Sequence, residues 1–207
     1  MNAGEALAHG AAELHLELSA DIRERLMRYV ALLKKWNKVY NLTAVQEERE
    51  MVSRHLLDSL AVVPHVAARS ILDVGSGAGF PGIPLALALP QSQVSLLDAN
   101  QKKAAFLRQA AIELALENVS IVCERVETWQ THERFAVVIA RAFSDLRKFL
   151  ALAGRLCAKR GMMAIMQGTY ARDQFAQLPN EFRLDRVIPL KVPGLNAPRH
   201  LALIRPA

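Results

Sequence analysis

Two carboxylates flank a run of three glycines. Asp73 comes first, then Gly75, Gly77 and Gly79 within "DVGSGAGF", then Asp98 at the end of "VSLLD", nineteen positions after the last glycine. Glycine at every second position lets the backbone approach a ligand closely. Where a strand leads in and a helix leads out, such a loop lies in the crevice at the carboxyl ends of parallel strands, where nucleotide-like ligands bind. The dinucleotide fingerprint G-x-G-x-x-G does not fit, because Phe80 stands where its third glycine belongs. Asp73 would also repel a diphosphate, whereas a carboxylate at that strand tip suits a sulfonium or ammonium group. The spacing therefore favours S-adenosylmethionine over NAD. Asp98 is placed to accept ribose hydroxyls in either case.

The flanking elements agree. From residue 70 onward, "ILDVG", "VSLLD", "VSIVC", "FAVVIAR" and "GMMAIM" read as short strands, with helix-like segments from about Gly82, Lys102, Ser144 and Thr169. That alternation predicts an α/β, Rossmann-like fold: a doubly wound, mostly parallel sheet covered on both faces. "FRLDRVIPL" and "RHLALIR" follow with no helix between them, which predicts an antiparallel C-terminal hairpin at one edge, with Arg199 opening an edge strand. Residues 70–207 are read as the cofactor-binding catalytic domain and residues 1–69 as a helical extension packed on it. In the extension Ser19 caps a helix whose face carries Ile22, Leu26, Tyr29, Val30, Leu33 and Trp36. "VYNLTAV" is a loop, and a second helix runs from about Glu47 to Val63, stopped at Pro64. Trp36 and Tyr40 are read as core. "RHLLDSL" is read as a packing and capping network, with Arg54, Leu57 and Asp58 in helical reach and His55 near Asp58 and Ser59.

At 207 residues, 52% of them hydrophobic, the chain can bury one substantial core. It contains no apolar run of the ~18 residues a membrane helix needs, so a cytoplasmic protein without membrane contact is expected. Cys123 and Cys157 are read as lying in a strand and a helix; neither they nor the six scattered histidines have metal-ligand spacing, and no metal is expected. The net charge of +6 is unevenly placed: residues 141–207 hold twelve basic and four acidic residues, while residues 1–69 hold nine of each. A one-sided basic excess points to a polyanionic partner.

The run "DVGSGAGFPGIPLAL", together with "WNKVYNLTAV", "RHLLDSL", "ERVE", "ARAF" and "RHLALI", resembles the bacterial 16S ribosomal RNA guanine-N7 methyltransferase family, known as RsmG or GidB. The likeness spans roughly Trp36 to Arg205. It implies methyl transfer from S-adenosylmethionine to nitrogen-7 of a guanine in 16S ribosomal RNA, as naked RNA or within the small subunit or an assembly intermediate, by a monomer. By the same resemblance Gly75 and Phe80 are cofactor contacts, Val126 and Glu127 an adenine-side pair, and Arg141 a cofactor or active-site arginine. Arg125 and Arg199 are pocket or RNA positions, and Asn41 is the member of its loop assigned to the active site. One departure stands out. Where the family carries Lys-Gly after the fifth strand, this chain has Gln167-Gly168, so a cation's role there is lost or passes to a neighbour such as Arg172.

Guanine nitrogen-7 has a free lone pair, so its methylation needs positioning and no general base. A carbon-5 pyrimidine methyltransferase needs a nucleophilic cysteine beside proline, and an amino-group methyltransferase an Asn/Asp-Pro-Pro-aromatic motif; this chain has neither. Because the product base is cationic, Arg141 is expected against the methionine carboxylate or an RNA phosphate. The alternatives are a methyltransferase of small molecules or proteins and a noncatalytic binding module.

Overall fold

The computed structural model describes residues 1–141, 145–168, 175 and 178–207. Seven strands form one sheet: β1 (Ser70–Val74), β2 (Gln93–Leu97), β3 (Val119–Val122), β4 (Phe135–Arg141), β5 (Cys157–Gln167), β6 (Phe182–Leu190) and β7 (Arg199–Pro206). Their order is β3-β2-β1-β4-β5-β7-β6. The first five are parallel, and β7 runs antiparallel to both β5 and β6. The C-terminal hairpin is therefore present, but β7 is not its edge. Leu201, Ala202, Leu203 and Ile204 are all buried, as a strand covered on both faces requires, and β6 takes the edge.

Alternate residues of the strands feed two hydrophobic layers. Ile71, Val94, Leu96, Val137, Ile139 and Leu203 face one; Leu72, Leu97, Val138, Ala140, Ile165 and Ala202 face the other. Helix α8 (Leu146–Ala153) covers the second layer through Leu146, Phe149 and Leu150. The first is covered by α6 (Gly82–Ala88) and α7 (Gln101–Glu113), and by the N-terminal helices α1 (Ala3–Glu13) and α2 (Ala20–Tyr40). Helix α1 opens with a capping box between Asn2 and Glu5 and is seated through Leu7, Gly10 and Ala11.

Ser19 caps α2 as its sequence indicates, and Leu26, Tyr29, Val30 and Leu33 are buried. Arg25 and Arg28, off that face, donate to the last carbonyls of α7: Arg25 Nε to Leu114 at 3.0 Å and Arg28 Nη2 to Glu113 at 2.7 Å. Tyr40 is 40% exposed and stacks on the half-buried Trp36, so only Trp36 joins the core. The expected helix from 47 to 63 is divided. Helix α3 (Glu48–Met51) passes into a π-helical segment (Val52–Leu57), then α4 (Asp58–Leu60). Pro64 does not end it but sits in the first turn of α5 (Val63–Val66), where its missing N–H costs nothing. Cys157 opens β5 instead of lying in a helix, and Cys123 follows the last residue of β3. The helix expected from about Thr169 and Arg172 lies outside the described residues.

Candidate active site at the carboxyl edge of the sheet

Strand β1 delivers Asp73 fully buried to the start of the glycine loop. Its Oδ2 accepts the Gly82 N–H at 2.9 Å, tying the strand tip to the first residue of α6. A Cβ at position 82 would lie 2.8 Å from that oxygen and 2.1 Å from Leu96, so only glycine fits. Oδ1 has no hydrogen-bond partner. Burial pushes the carboxyl up to about 7, against the pull of the Gly82 N–H and of Arg141. A buried, unpartnered carboxylate oxygen beside the loop is a place for a cationic donor.

Asp98, at the tip of β2, is 9% exposed. Its Oδ2 accepts the Gly77 N–H at 2.9 Å and its Oδ1 the Asn100 N–H at 2.8 Å, while Lys103 Nζ stands 3.9 Å away. Each oxygen keeps a lone pair for a further donor. Gly75, Gly77 and Gly79 take φ of 73°, 60° and 89°. On the side where Gly77 lacks a Cβ the nearest atom is 3.9 Å away, so the loop leaves open space beside Asp98.

The N-terminal helices form the opposite wall. The Tyr29 hydroxyl of α2 donates to the Ala78 carbonyl within the glycine loop. Phe80, 3% exposed, packs against Tyr29 (ring centroids 5.2 Å apart) and stacks on His55 at 4.7 Å. His55 Nδ1 lies 3.0 Å from the Arg54 carbonyl and Nε2 is 2.8 Å from Thr43 Oγ1. Burial, followed by the Arg141 charge, lowers the imidazole to about 4, so it is neutral: Nδ1–H donates to the carbonyl and the hydroxyl donates to Nε2. Asn37, itself buried, holds Thr43 by two 2.9 Å bonds. Sequence reading passed over Asn37 and Thr43 in favour of Asn41. Asn41 is the exposed left-handed cap of α2, its N–H bonded to Asn37; the inward contact of its loop belongs to Thr43.

Arg141 ends β4 with its guanidinium over the Phe80 ring, 5.3 Å from the centroid. Its Nη1 donates to the Arg54 carbonyl at 3.3 Å and to Asp58 Oδ2 at 3.4 Å. Arg199 opens β7 and donates from Nε to Asp58 Oδ1 at 3.0 Å. The edge position expected for Arg199 is thus corrected: it stands on an interior strand, bonded to the same carboxylate as Arg141. Burial raises the Asp58 carboxyl and the two arginines oppose the rise. The turn after β3 supplies Arg125 and Glu127, both exposed, and Val126, half-buried; Arg155 fixes it by donating to the Val126 and Trp129 carbonyls at 2.8 and 2.7 Å. Gln167 ends β5 opposite His200.

A family model for rRNA small subunit methyltransferase G (GidB) matches residues 22–202. The chain belongs to the rRNA small subunit methyltransferase G family. A member from Laribacter hongkongensis is 54% identical over 97% of both chains, and one from Nitrosospira multiformis 49% identical over 100% of this chain and 99% of the relative. Both are named ribosomal RNA small subunit methyltransferase G. Solved structures show the shared fold: TrmN from Thermus thermophilus (TM-score 0.59, 18% identity, 75% of this chain and 53% of that one), and TYW2 from M. jannaschii in complex with AdoMet (0.54, 16%, 72% and 74%). In this member of the rRNA small subunit methyltransferase G family, Asp73, the glycine loop, Phe80, Asp98 and Arg141 line one edge of the sheet.

Proposed function

We propose that this protein transfers a methyl group from S-adenosylmethionine to nitrogen-7 of a guanine in 16S ribosomal RNA. The observation that carries the reading is the pair of carboxylates around the open glycine loop, one of them with a buried unpartnered oxygen. Family membership supports the RNA substrate. Bound there, the cofactor supplies an electrophilic methyl group on a sulfonium.

The residues' task is to bind and orient. Asp73 Oδ1 accepts from the ammonium of the methionine end, the site's complement to its missing donor. The outer lone pairs of Asp98 accept the ribose hydroxyls, and Gly75, Gly77 and Gly79 let the backbone close on the cofactor. Phe80 walls the methionine side; Val126 and Glu127 line the adenine side. Arg141 faces the methionine carboxylate or an RNA phosphate, since a cation against nitrogen-7 would oppose the charge that develops there. Arg125, Arg199 and Asn41 contact RNA. Because the nitrogen attacks with a free lone pair, rate comes from in-line placement, and neutral His55 serves as a wall.

No helix among the described residues is long and apolar enough to cross a membrane. We place the protein in the cytoplasm, acting as a monomer, with residues 1–69 roofing the pocket of the catalytic domain 70–207. Mass mapping of methylated nucleosides in ribosomal RNA from cells with and without the protein tests the reading. Loss of one 7-methylguanosine from 16S RNA is expected; an unchanged map overturns it.

A further inference from the structure

Asp58 collects two arginines that the chain places 83 and 141 positions away. Each oxygen takes one of them, Oδ1 from Arg199 Nε at 3.0 Å and Oδ2 from Arg141 Nη1 at 3.4 Å. Two guanidinium groups this close repel one another unless a carboxylate lies between them. The helix is built to supply it. Asp58 directly follows the π-helical segment, and the Arg54 carbonyl of that segment accepts from the same Arg141 nitrogen. Single π-turns recur at functional sites because the extra residue re-aims the side chains of the next turn.

Exposure separates a clasp from a simple cross-link. A bridge whose work is to join the helix to the sheet would bury all three side chains alike. Here the carboxylate is 3% exposed, whereas the Arg141 and Arg199 side chains keep 24% and 26%. The carboxylate is behind and the guanidinium groups are in front. Their fixed forks retain donors beyond those spent on Asp58, and two cations with one carboxylate leave a single positive charge. Arg199 also lines a cleft of about 310 Å³ together with Ser53, Arg54 and Asn196. Arg141 lies over Phe80, so the pair bridges that cleft and the pocket.

We infer that Asp58 is a positioning residue that holds Arg141 and Arg199 side by side as one grip for an RNA phosphate next to the target base. The inference rests on the RNA reading above, and it chooses the phosphate over the methionine carboxylate as the partner of Arg141.

Asp58→Asn keeps the shape and removes the charge. It is expected to lower kcat/KM for small-subunit ribosomal RNA on the order of 10–100-fold, mostly through KM for RNA, with the cofactor Kd changed less than about threefold. Added to Arg199→Ala, it should cost no more than about a further threefold, because the grip is already broken. Multiplicative losses in the double variant, a normal KM for RNA, or an equal loss of cofactor affinity would overturn the inference. If Asp58→Asn does not fold, Arg141→Lys and Arg199→Lys carry the same cycle: losses that fail to multiply support the grip, and multiplicative losses overturn it. Wild-type protein that transfers no methyl group to this RNA would instead remove the RNA reading itself.

Discussion

Asp73 and Asp98 hold the same loop with different residual chemistry, and each yields its own measurement. Asp98 keeps lone pairs beside open space, so Asp98→Ala should raise the S-adenosylmethionine Kd by roughly 30-fold, about 2 kcal/mol, in calorimetry. Asp73 sits near 7 because it is buried. A cationic ligand prefers it ionised, so cofactor affinity should fall as pH drops below about 7, and Asp73→Asn should be weak and flat with pH. Its effect on folding has the opposite sense. The folded state holds this proton more tightly than the unfolded chain does, so from about 7 down to the ordinary carboxylate range Asp73 adds stability as pH falls. His55 is lowered to about 4, so its contribution is present above 6.5 and is lost as pH falls through 4. Unfolding midpoints across that window should therefore be less acid-sensitive in His55→Gln and more so in Asp73→Asn. Both carboxylates were legible from spacing to the glycines. The partner of Arg199 was not, because it depends on which strand stands beside β5.

At the scale of elements, strands were readable wherever apolar runs are short and bounded, and β4 and β6 match the runs "FAVVIAR" and "FRLDRVIPL" residue for residue. Their order is a tertiary fact. The unbroken "LALI" of β7 signalled burial on both faces, but a hairpin read in isolation gives no way to choose its inner arm. The π-turn left no mark either, since one added residue hardly disturbs a helical period, and it decides where Asp58 points. Helix α1 did leave one, the Asn2 and Glu5 capping pair, which sequence reading passed over. The junction of β1 and α6 offers a direct test. Gly82→Ala drives a methyl group into Leu96 and into the oxygen of Asp73 that the Gly82 N–H holds. It should cost ~1–3 kcal/mol of stability and weaken cofactor binding as well; a neutral midpoint in thermal unfolding with normal calorimetry would show that α6 can shift away.

Over the whole molecule, composition announced a basic C-terminal third, while the direction of its strands decides where those charges lie. Arg141, Arg199 and Lys191 stand at the pocket end of the sheet, whereas Arg160, Arg183 and Arg205 stand at the other, where Arg183 pairs with Arg205 beside the start of β5. Four more cations join the pocket end from helix starts: Lys102 and Lys103 in α7, Arg147 and Lys148 in α8. Neither helix has an acidic residue in its first turn, and cations there oppose the helix dipole by ~0.3–1 kcal/mol each. Helix stability does not account for them; an approaching polyanion does. Neutralising Arg147 and Lys148 to glutamine should therefore raise the unfolding midpoint slightly while it weakens RNA binding. Between ~50 and ~200 mM salt the slope of log affinity should fall by about 1.4–1.8, at ~0.7–0.9 for each phosphate released. Arg160→Gln with Arg183→Gln removes as much charge from the far end and should leave that slope within a few tenths. Titrations showing the larger change in the far-end pair would place the RNA across the amino ends of the strands, away from Asp73 and Asp98.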